Sequence, residues 1–179
     1  VLAVSVQMLM ESPVALEDRR RVFLMGGTTE TEGELRLFDS SSLKPGQGGI
    51  AFIRPDQPMF THAGDRFILR LPTPMVTLGG GKILDHFERF PRRRELGELN
   101  WLARRLSSDM REWILSEIEK QLFASVESLL DHSEYSKRAV TESYRTLVEQ
   151  GRARLFGEYL YIPEMIDTHK PKVLSVLNT

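Results

Sequence analysis

The sequence predicts a multidomain chain, in which a small antiparallel β-barrel or β-sandwich is followed by an α+β domain. Six short apolar runs in the first half are separated by turn residues, with no helical pattern between them. After Glu88 the spacing of apolar residues changes from two to about 3.6, the period of an α-helix. Successive helical patterns and one pair of alternating runs then make up the second half.

The predicted strands of the first half cover residues 2–9, 20–25, 33–38, 49–54, 66–71 and 75–85. Residues 40–49 are predicted to turn, because they contain Pro-Gly and Gly-Gly pairs. In the fifth strand, Phe67, Leu69 and Leu71 alternate with Arg66, Ile68 and Arg70. This alternation is typical of a strand with one buried face and one mixed face.

Three consecutive glycines, Gly79, Gly80 and Gly81, fall in the sixth predicted strand. Because they carry no side chains, they suit a β-bulge or a tight barrel corner. They also suit a place where another backbone, such as that of an RNA, lies close to the sheet. The residues alone leave both interpretations open.

The second half has the element order of a winged helix. A connector helix is expected over residues 91–107, and Ser108 or Asp109 is expected to cap the next helix. A short helix over 126–132 and a third over about 136–150 follow, the last ending at Gly151. Alternating runs around Gly157 then predict a two-stranded wing. The expected domains are residues 1–90, 91–107, 108–164 and 165–179, the last being the first helix of a truncated second winged helix.

Composition excludes several classes of function. Apolar residues make up 41% and charged residues 27% of the chain, as in ordinary globular proteins, and no apolar run is long enough to span a membrane. The net charge of −1 gives no global case for nucleic-acid binding, so any such case is local. The chain has no cysteine, which excludes disulfides and thiolate metal sites and fits a cytoplasmic protein. The histidines are scattered, so no metal site is expected; they are His62, His86, His132 and His169.

No catalytic residue is predicted. The glycine clusters lack the GxxxxGK[ST] spacing of a phosphate-binding loop, and the NKxD element that reads guanine is absent. The charge pattern of the helices places their carboxylates on a solvated surface; those considered are Glu117, Glu119, Asp131 and Glu134. The chain is therefore expected to be a binding protein.

Basic residues cluster in two places. Arg92, Arg93 and Arg94, with Arg89 before them and Arg104 and Arg105 after them, surround the connector and are candidates for phosphate contacts. A second group lies on the third helix and the wing, where acidic residues dilute it; its members are Lys137, Arg138, Arg145, Arg152 and Arg154. An ordinary solvated surface with charged helix ends is the competing interpretation for both groups.

Residues 64–85 read GDRFILRLPTPMVTLGGGKILD and carry a resemblance to a known family. They resemble the third, β-barrel domain of elongation-factor-Tu-type translational GTPases, and most closely that of selenocysteine-specific elongation factors. The resemblance implies that the barrel contacts tRNA through residues corresponding to Thr77, Gly79 and Gly80, with Arg70 and Lys82 adding charge beside them.

The same resemblance implies the rest of a longer factor. A GTPase domain that binds GTP and magnesium would lie upstream, so this chain itself would hold no cofactor and would not be an enzyme. The expected partners are selenocysteinyl-tRNA, the ribosome and, through later winged helices, the hairpin in selenoprotein mRNA. The winged helix present here would act as a spacer that positions those later modules.

Two other functions compete with this interpretation. One is a winged-helix DNA-binding transcriptional regulator, in which Lys137, Arg138 and Arg145 enter a major groove and the barrel is a sensor or dimerisation domain. The other is an interaction module that binds no nucleic acid. Residues 64–85 favour the elongation factor, and the diluted charge of the third helix disfavours the regulator.

Overall fold

The computed structural model describes residues 1–131 and 136–166 of the chain. The chain divides into two compact units between Leu96 and Gly97. The first unit is a β-barrel and the second contains a winged helix, which confirms the predicted fold class. Among the described residues, no helix is both long and apolar enough to cross a membrane.

Six antiparallel strands form the barrel: β1 (Leu2–Met8), β3 (Arg21–Gly26), β4 (Thr29–Leu37), β6 (Gly48–Pro55), β7 (Arg66–Arg70) and β8 (Thr77–His86). Their order around the barrel is β1-β6-β4-β3-β7-β8, and β8 pairs back to β1. Strands β4 and β7 alternate core-facing apolar residues with outward residues, as expected for a barrel, whereas β6 and β8 contain runs of three buried residues. Two further strands of two residues each form a separate small sheet. The small sheet joins β2 (Leu16–Glu17) to β5 (Ser42–Leu43).

The barrel core is a single cluster of buried aliphatic side chains with one aromatic ring, Phe67. Leu24, Leu35 and Leu69 are fully buried within it. The predicted third strand was too short. Strand β4 begins at Thr29, directly after the turn from β3, and this first residue already pairs with Gly26. The missed sheet of β2 and β5 places Leu16 and Leu43 in the same core.

The connector is helical, but the prediction of a continuous helix with an α-helical period was wrong. Residues Arg93–Leu106 form a 3-10 segment with a break at Leu99, where φ is −99° and ψ is 17°. Gly97 lies just before the break, and glycine weakens helices because it loses the most backbone freedom on folding. Its buried apolar side chains are Trp101 and Leu102, whereas Leu106 remains 45% exposed.

The second unit has the predicted winged-helix order. Helix α1 (Met110–Gln121) begins at the N-cap Asp109, whose side chain accepts from the Arg111 backbone. Helices α2 (Val126–Asp131) and α3 (Lys137–Glu149) follow. Helix α3 ends just before Gly151, which has a φ of +72°, the left-handed conformation that glycine favours at the end of a helix. The wing consists of β10 (Arg154–Phe156) and β11 (Tyr159–Tyr161). A strand missed from the sequence, β9 (Ala124–Ser125), pairs with β11 and completes a three-stranded sheet.

Glu117 is buried, contrary to prediction, and it pairs with a buried arginine of the connector, Arg105. Arg105 is 6% exposed; its Nε donates to Ser116 Oγ at 2.9 Å, and its Nη2 donates to Glu117, which is 8% exposed. Arg104 donates to Glu112 and Glu119 of α1. Both arginines form ion pairs with carboxylates of α1, so they do not provide unpaired positive charge for a phosphate.

Candidate nucleic-acid interface

The hairpin of β7 and β8 presents its outward face as the predicted site. On β7, Phe67 and Leu69 point into the core, whereas Arg66 and Ile68 point outwards and Ile68 is 48% exposed. The register places Lys82 of β8 opposite Arg66. The alternation in the sequence therefore predicted correctly which side chains face outwards.

The three glycines lie inside β8 and pair on both sides, and a register irregularity of the kind predicted lies directly before them. On the β7 side the pairing skips Leu78, directly before Gly79, because Leu69 pairs with Gly79 and Arg70 pairs with Thr77. On the β1 side it skips Leu84. A Cβ on Gly81 would collide with the Ser5 carbonyl oxygen, and one on Gly79 would collide with the Gln7 carbonyl oxygen.

A Cβ on Gly80 would lie 2.5 Å from the Phe67 carbonyl oxygen. This is far inside van der Waals contact, as for its two glycine neighbours. The glycines are thus required by the close approach of β1 and β7 to β8. This packing role exists whether or not a ligand uses the same surface.

An open cleft of about 900 Å³ lies on this face of the barrel. Gly80 and Gly81 line this cleft, and because they carry no side chains they leave it open. Its lining residues come from five strands and one turn: Ser5, Gln7, Met25, Gly27, Thr28, Thr29, Glu30, Arg66, Phe67, Ile68, Gly80, Gly81 and Lys82.

Positive charge lies at one part of this cleft. Arg66 and Lys82 are directly opposite each other across β7 and β8, which concentrates two cations where a polyanion would reduce their mutual repulsion. Glu30 is the acidic residue among the lining side chains. The arrangement suits a ligand that brings phosphate to Arg66 and Lys82 and meets apolar surface at Ile68.

The five predicted tRNA-contacting residues divide between two parts of the hairpin. Gly80 and Lys82 line the cleft, whereas Arg70 and Thr77 pair with each other further along the hairpin. Gly79 is buried. The Arg70 Nε is shielded from solvent and has no hydrogen-bond partner in the described part of the chain.

Several residues that line the cleft were not among the predicted tRNA contacts. Arg66 has the same parity on β7 as Ile68 and Arg70, so the alternation already identified it. Ser5 and Gln7 alternate with buried residues of β1, which is a weaker signal of the same kind. Their place beside Gly80 and Lys82 follows only from the pairing of β1 with β8.

The arginine run before the connector is partly committed to local structure. Arg92 and Arg94 are exposed, and Arg93 is the first residue of the 3-10 segment. Arg89 donates through both terminal nitrogens to Glu95, and the Arg92 backbone N–H also donates to Glu95. These bonds to Arg89 and then Arg92 lower the pKa of Glu95 to about 2.

The cations of α3 are exposed and partly offset by acids. Arg138 donates to Glu142 at 2.7 Å in an exposed ion pair one helical turn along. Lys137 and Arg145 are exposed. No cluster of three or more potential metal ligands occurs within residues 1–131 and 136–166. His132, Glu134 and His169 lie outside these residues.

Comparison with known proteins identifies the barrel. Residues 3–89 match the family described as the β-barrel domain of the selenocysteine-specific elongation factor. A selenocysteine-specific elongation factor from Desulfomicrobium baculatum is 33% identical over 85 residues, covering 48% of this chain and 13% of that protein. The corresponding factor from Haemophilus influenzae is 30% identical over 100 residues, covering 56% of this chain and 16% of that protein.

A solved structure has the same fold over almost the whole chain. The crystal structure of the bacterial selenocysteine-specific elongation factor EF-Sec matches with a TM-score of 0.62 at 14% identity, covering 97% of this chain and 26% of that one. At this identity the match shows the fold alone. The chain spans less than a fifth of the length of the two curated relatives.

These matches assign the barrel to the translation elongation factors as a class. More specifically, residues 3–89 belong to the family described as the β-barrel domain of the selenocysteine-specific elongation factor. The DNA-binding regulator considered from the sequence is not favoured by these matches.

Proposed function

We propose that this chain is part of a factor that delivers selenocysteinyl-tRNA to the ribosome at recoded UGA codons, and that the barrel contacts the tRNA. The observation that carries the proposal is the cleft at Gly80, with Arg66 and Lys82 beside it, in a domain of this family. A surface without side chains, flanked by cations, fits an RNA backbone. The named relatives are all selenocysteine-specific elongation factors.

Each residue of the proposed contact has a chemical role. Lys82 and Arg66 neutralise phosphates and release their counterions. Arg70, whose Nε is buried but whose side chain is half-buried overall, adds positive charge beside the same surface. The Thr77 hydroxyl, opposite Arg70, adds a neutral hydrogen bond to the same stretch.

Gly79 and Gly80 act differently from these side chains. Gly79 is buried and shapes the strand, whereas Gly80 keeps the surface low enough for the RNA backbone to approach. Lys82 lies on the same strand, where it follows Gly80 along the cleft. The glycines therefore provide the shape of the contact and the cations provide its charge.

The winged helix acts in this proposal as a structural arm. Its recognition helix α3 carries cations that are offset by Glu142 and Glu149, which suits a spacer better than a major-groove reader. Arg92, Arg93 and Arg94 add phosphate contacts near the junction. Later modules hold the hairpin in selenoprotein mRNA, and a GTPase domain elsewhere in this cytoplasmic protein binds GTP and magnesium.

Equilibrium binding by the full-length protein that contains this chain tests the proposed function. Selenocysteinyl-tRNA and random duplex DNA are titrated under the same salt conditions, since affinity without a stated salt concentration is uninterpretable. The proposal predicts much tighter binding of the tRNA. Equal or tighter binding of the duplex, with no preference for selenocysteinyl-tRNA, would favour the DNA-binding regulator instead.

A further inference from the structure

The segment that follows β8 folds back onto the outward face of the barrel. The backbone N–H of Phe87 donates to the Val1 carbonyl oxygen at 2.7 Å, and the Val1 nitrogen donates to the Phe87 carbonyl oxygen at 2.7 Å. These bonds extend the pairing of β1 with β8 by one residue beyond Leu2 and His86. We call residues 87–95 the exit strap.

An outward aromatic residue of β6 is buried where the exit strap begins. Phe52 is 2% exposed, yet it is not part of the barrel core, to which its neighbours Ala51 and Ile53 belong. The ring of Phe87 packs edge-on against that of Phe52, with 5.5 Å between the ring centres, and the Phe38 ring lies 6.0 Å away. The exit strap therefore covers part of this outward face.

Phe90 contacts two arginines that belong to neighbouring strands of the barrel. The guanidinium carbon of Arg36 lies 4.0 Å from the centre of the Phe90 ring, and that of Arg54 lies 5.1 Å from it. Glu34 accepts from Arg36 Nε at 2.9 Å and from Arg54 Nη2 at 2.7 Å. Because one carboxylate orients both guanidinium groups, Phe90 meets two cations whose positions are already set, and the attraction is a cation–π interaction.

A second set of bonds orders the end of the exit strap. Arg89 donates through both terminal nitrogens to Glu95 at 2.9 and 3.0 Å, and the Arg92 backbone N–H donates to Glu95 at 2.8 Å. Arg92 and Arg94 are exposed. The exit strap thus carries two exposed arginines on a locally ordered backbone.

The contact of Phe90 with the two arginines is open to solvent, so it can form and break. The side chains of Arg36 and Arg54 are 40% and 58% exposed, and Phe90 is half-buried. A cation–π contact at an exposed site shifts an equilibrium by about twofold to fivefold, so two such contacts shift it by about fivefold to thirtyfold. The barrel core contains no residue of the exit strap, which allows the strap to open without unfolding of the barrel.

We propose that the exit strap is a reversible latch on β4 and β6, and that Phe90 is the positioning residue that holds Arg92 and Arg94 in place on the barrel. With the latch closed, the two exposed cations are ordered before a ligand arrives, which lowers the entropic cost of binding a polyanion. The use of these cations by RNA phosphates rests on the proposed function, whereas the latch itself does not.

Trypsin cleavage after Arg92 in the native chain measures the population of the open latch, with cleavage after the exposed Arg19 as the reference in the same molecule. Phe90→Ala is expected to speed cleavage after Arg92 about tenfold relative to this reference, whereas Phe90→Tyr, which keeps the ring, should stay within about twofold of the unchanged chain. Phe60→Ala is the matched control, since Phe60 is 98% exposed. An unchanged ratio in Phe90→Ala would overturn the proposal.

Phe90→Leu separates the cation–π contact from ordinary apolar packing. Leucine keeps apolar bulk but has no π face, so cleavage after Arg92 should approach the rate seen with Phe90→Ala. Arg36→Gln combined with Arg54→Gln should have a similar effect, and adding Phe90→Ala to them should produce no further increase, because the same contact is already lost. Full rescue by leucine, or fully additive effects in the combined variant, would overturn the proposal.

Binding of selenocysteinyl-tRNA to the full-length protein separates the latch from the proposed function. Arg92→Ala with Arg94→Ala is expected to weaken binding, and Phe90→Ala is expected to weaken it by a smaller factor. Weaker binding from the arginine variant with no effect of Phe90→Ala would overturn the positioning role. No effect of the arginine variant would overturn the phosphate contacts of the proposed function, and cleavage after Arg92 would still decide whether the latch exists.

Discussion

Arg105, near the end of the connector, donates from its Nη2 to Glu117 in α1, and both side chains are buried. The same guanidinium stacks 4.6 Å from the centre of the Trp101 ring, and its Nε donates to Ser116. The connector is therefore fastened to the winged-helix unit by a buried charge pair.

Breaking this pair from one side is expected to destabilise the second unit strongly. Glu117→Gln leaves the buried Arg105 charge without its counterion, which typically costs about 3–5 kcal/mol. The control is Glu142→Gln, which removes the exposed partner of Arg138 and should change the free energy of unfolding by less than about 1 kcal/mol. Urea denaturation of both variants checks this, and similar losses from the two would contradict it.

The carboxylate of Glu112 should make the winged-helix unit sensitive to acid. It accepts from Arg152 Nη2 at 2.7 Å and from Arg104 Nη1 at 2.6 Å, and these bonds, with Arg152 first, lower its pKa below the ordinary 4.5. A group with a lowered folded pKa stabilises above its unfolded pKa and loses this contribution as pH falls through the folded value.

Glu112→Gln is therefore expected to reduce the free energy of unfolding by about 1–3 kcal/mol at neutral pH. The difference from the unchanged chain should shrink as pH falls below 4.5, the ordinary pKa. Denaturation curves at a series of pH values measure this difference. A difference that stays constant or grows with acidification would show that Glu112 does not act through its charge.

Gly81→Ala should destabilise the barrel, because the new Cβ would collide with the Ser5 carbonyl oxygen and one neighbouring strand must move. Overpacking of this kind typically costs about 1–3 kcal/mol. Gly97→Ala is the matched control, since nothing lies within 4 Å of its Cβ position and its φ is not positive. Thermal denaturation should show a clear loss for the first variant only; equal stability of both would contradict the packing role.

Limited trypsin digestion is expected to begin at Arg92 or Arg94. Both side chains are exposed, Arg92 lies outside any helix or strand, and the two hydrophobic cores share no residue. Mass spectrometry of the first fragments gives the position of cleavage. Initial cleavage inside the barrel, with this junction intact, would place the boundary of the units elsewhere.

Calorimetry should show that this chain alone does not bind GTP. The sequence lacks both the phosphate-binding loop and the NKxD element, which together supply the backbone donors and the guanine contact. Titration of GTP in the presence of magnesium is expected to give only heats of dilution. Stoichiometric, magnesium-dependent binding would contradict the assignment of that activity to another part of the factor.

The local patterns predicted the strands and helices well, because their periods record which face is buried. The pairing of β8 with β1 was not visible, since it joins residues about 80 positions apart and no local signal specifies it. Glu117 was assigned to the surface because it lies among charged neighbours in the sequence. Its partner Arg105 precedes it by twelve residues across a break between helices, so only the folded chain shows that the two meet.

In the candidate site too, the local sequence pattern predicted which side chains face outwards but not which strands lie beside them. Alternation along β7 indicated that Arg66, Ile68 and Arg70 face outwards, and the glycine run marked the neighbouring strand. The cleft itself depends on β1 and β3 lying on either side of this hairpin, which is a property of the closed barrel. The packing role of Gly80 also means that a bulky residue there would disturb Phe67, so charge removal tests RNA contact more cleanly.

Binding of selenocysteinyl-tRNA to charge variants of the full-length protein tests the central claim most directly. We predict that replacing Arg70 and Lys82 with Ala weakens binding by about tenfold and lowers the salt dependence by about one unit per lost phosphate contact. Replacing Lys137 and Arg138 with Ala should change the affinity little. A larger loss from the Lys137 and Arg138 pair, measured at the same salt concentration, would contradict the assignment of the tRNA surface to the barrel.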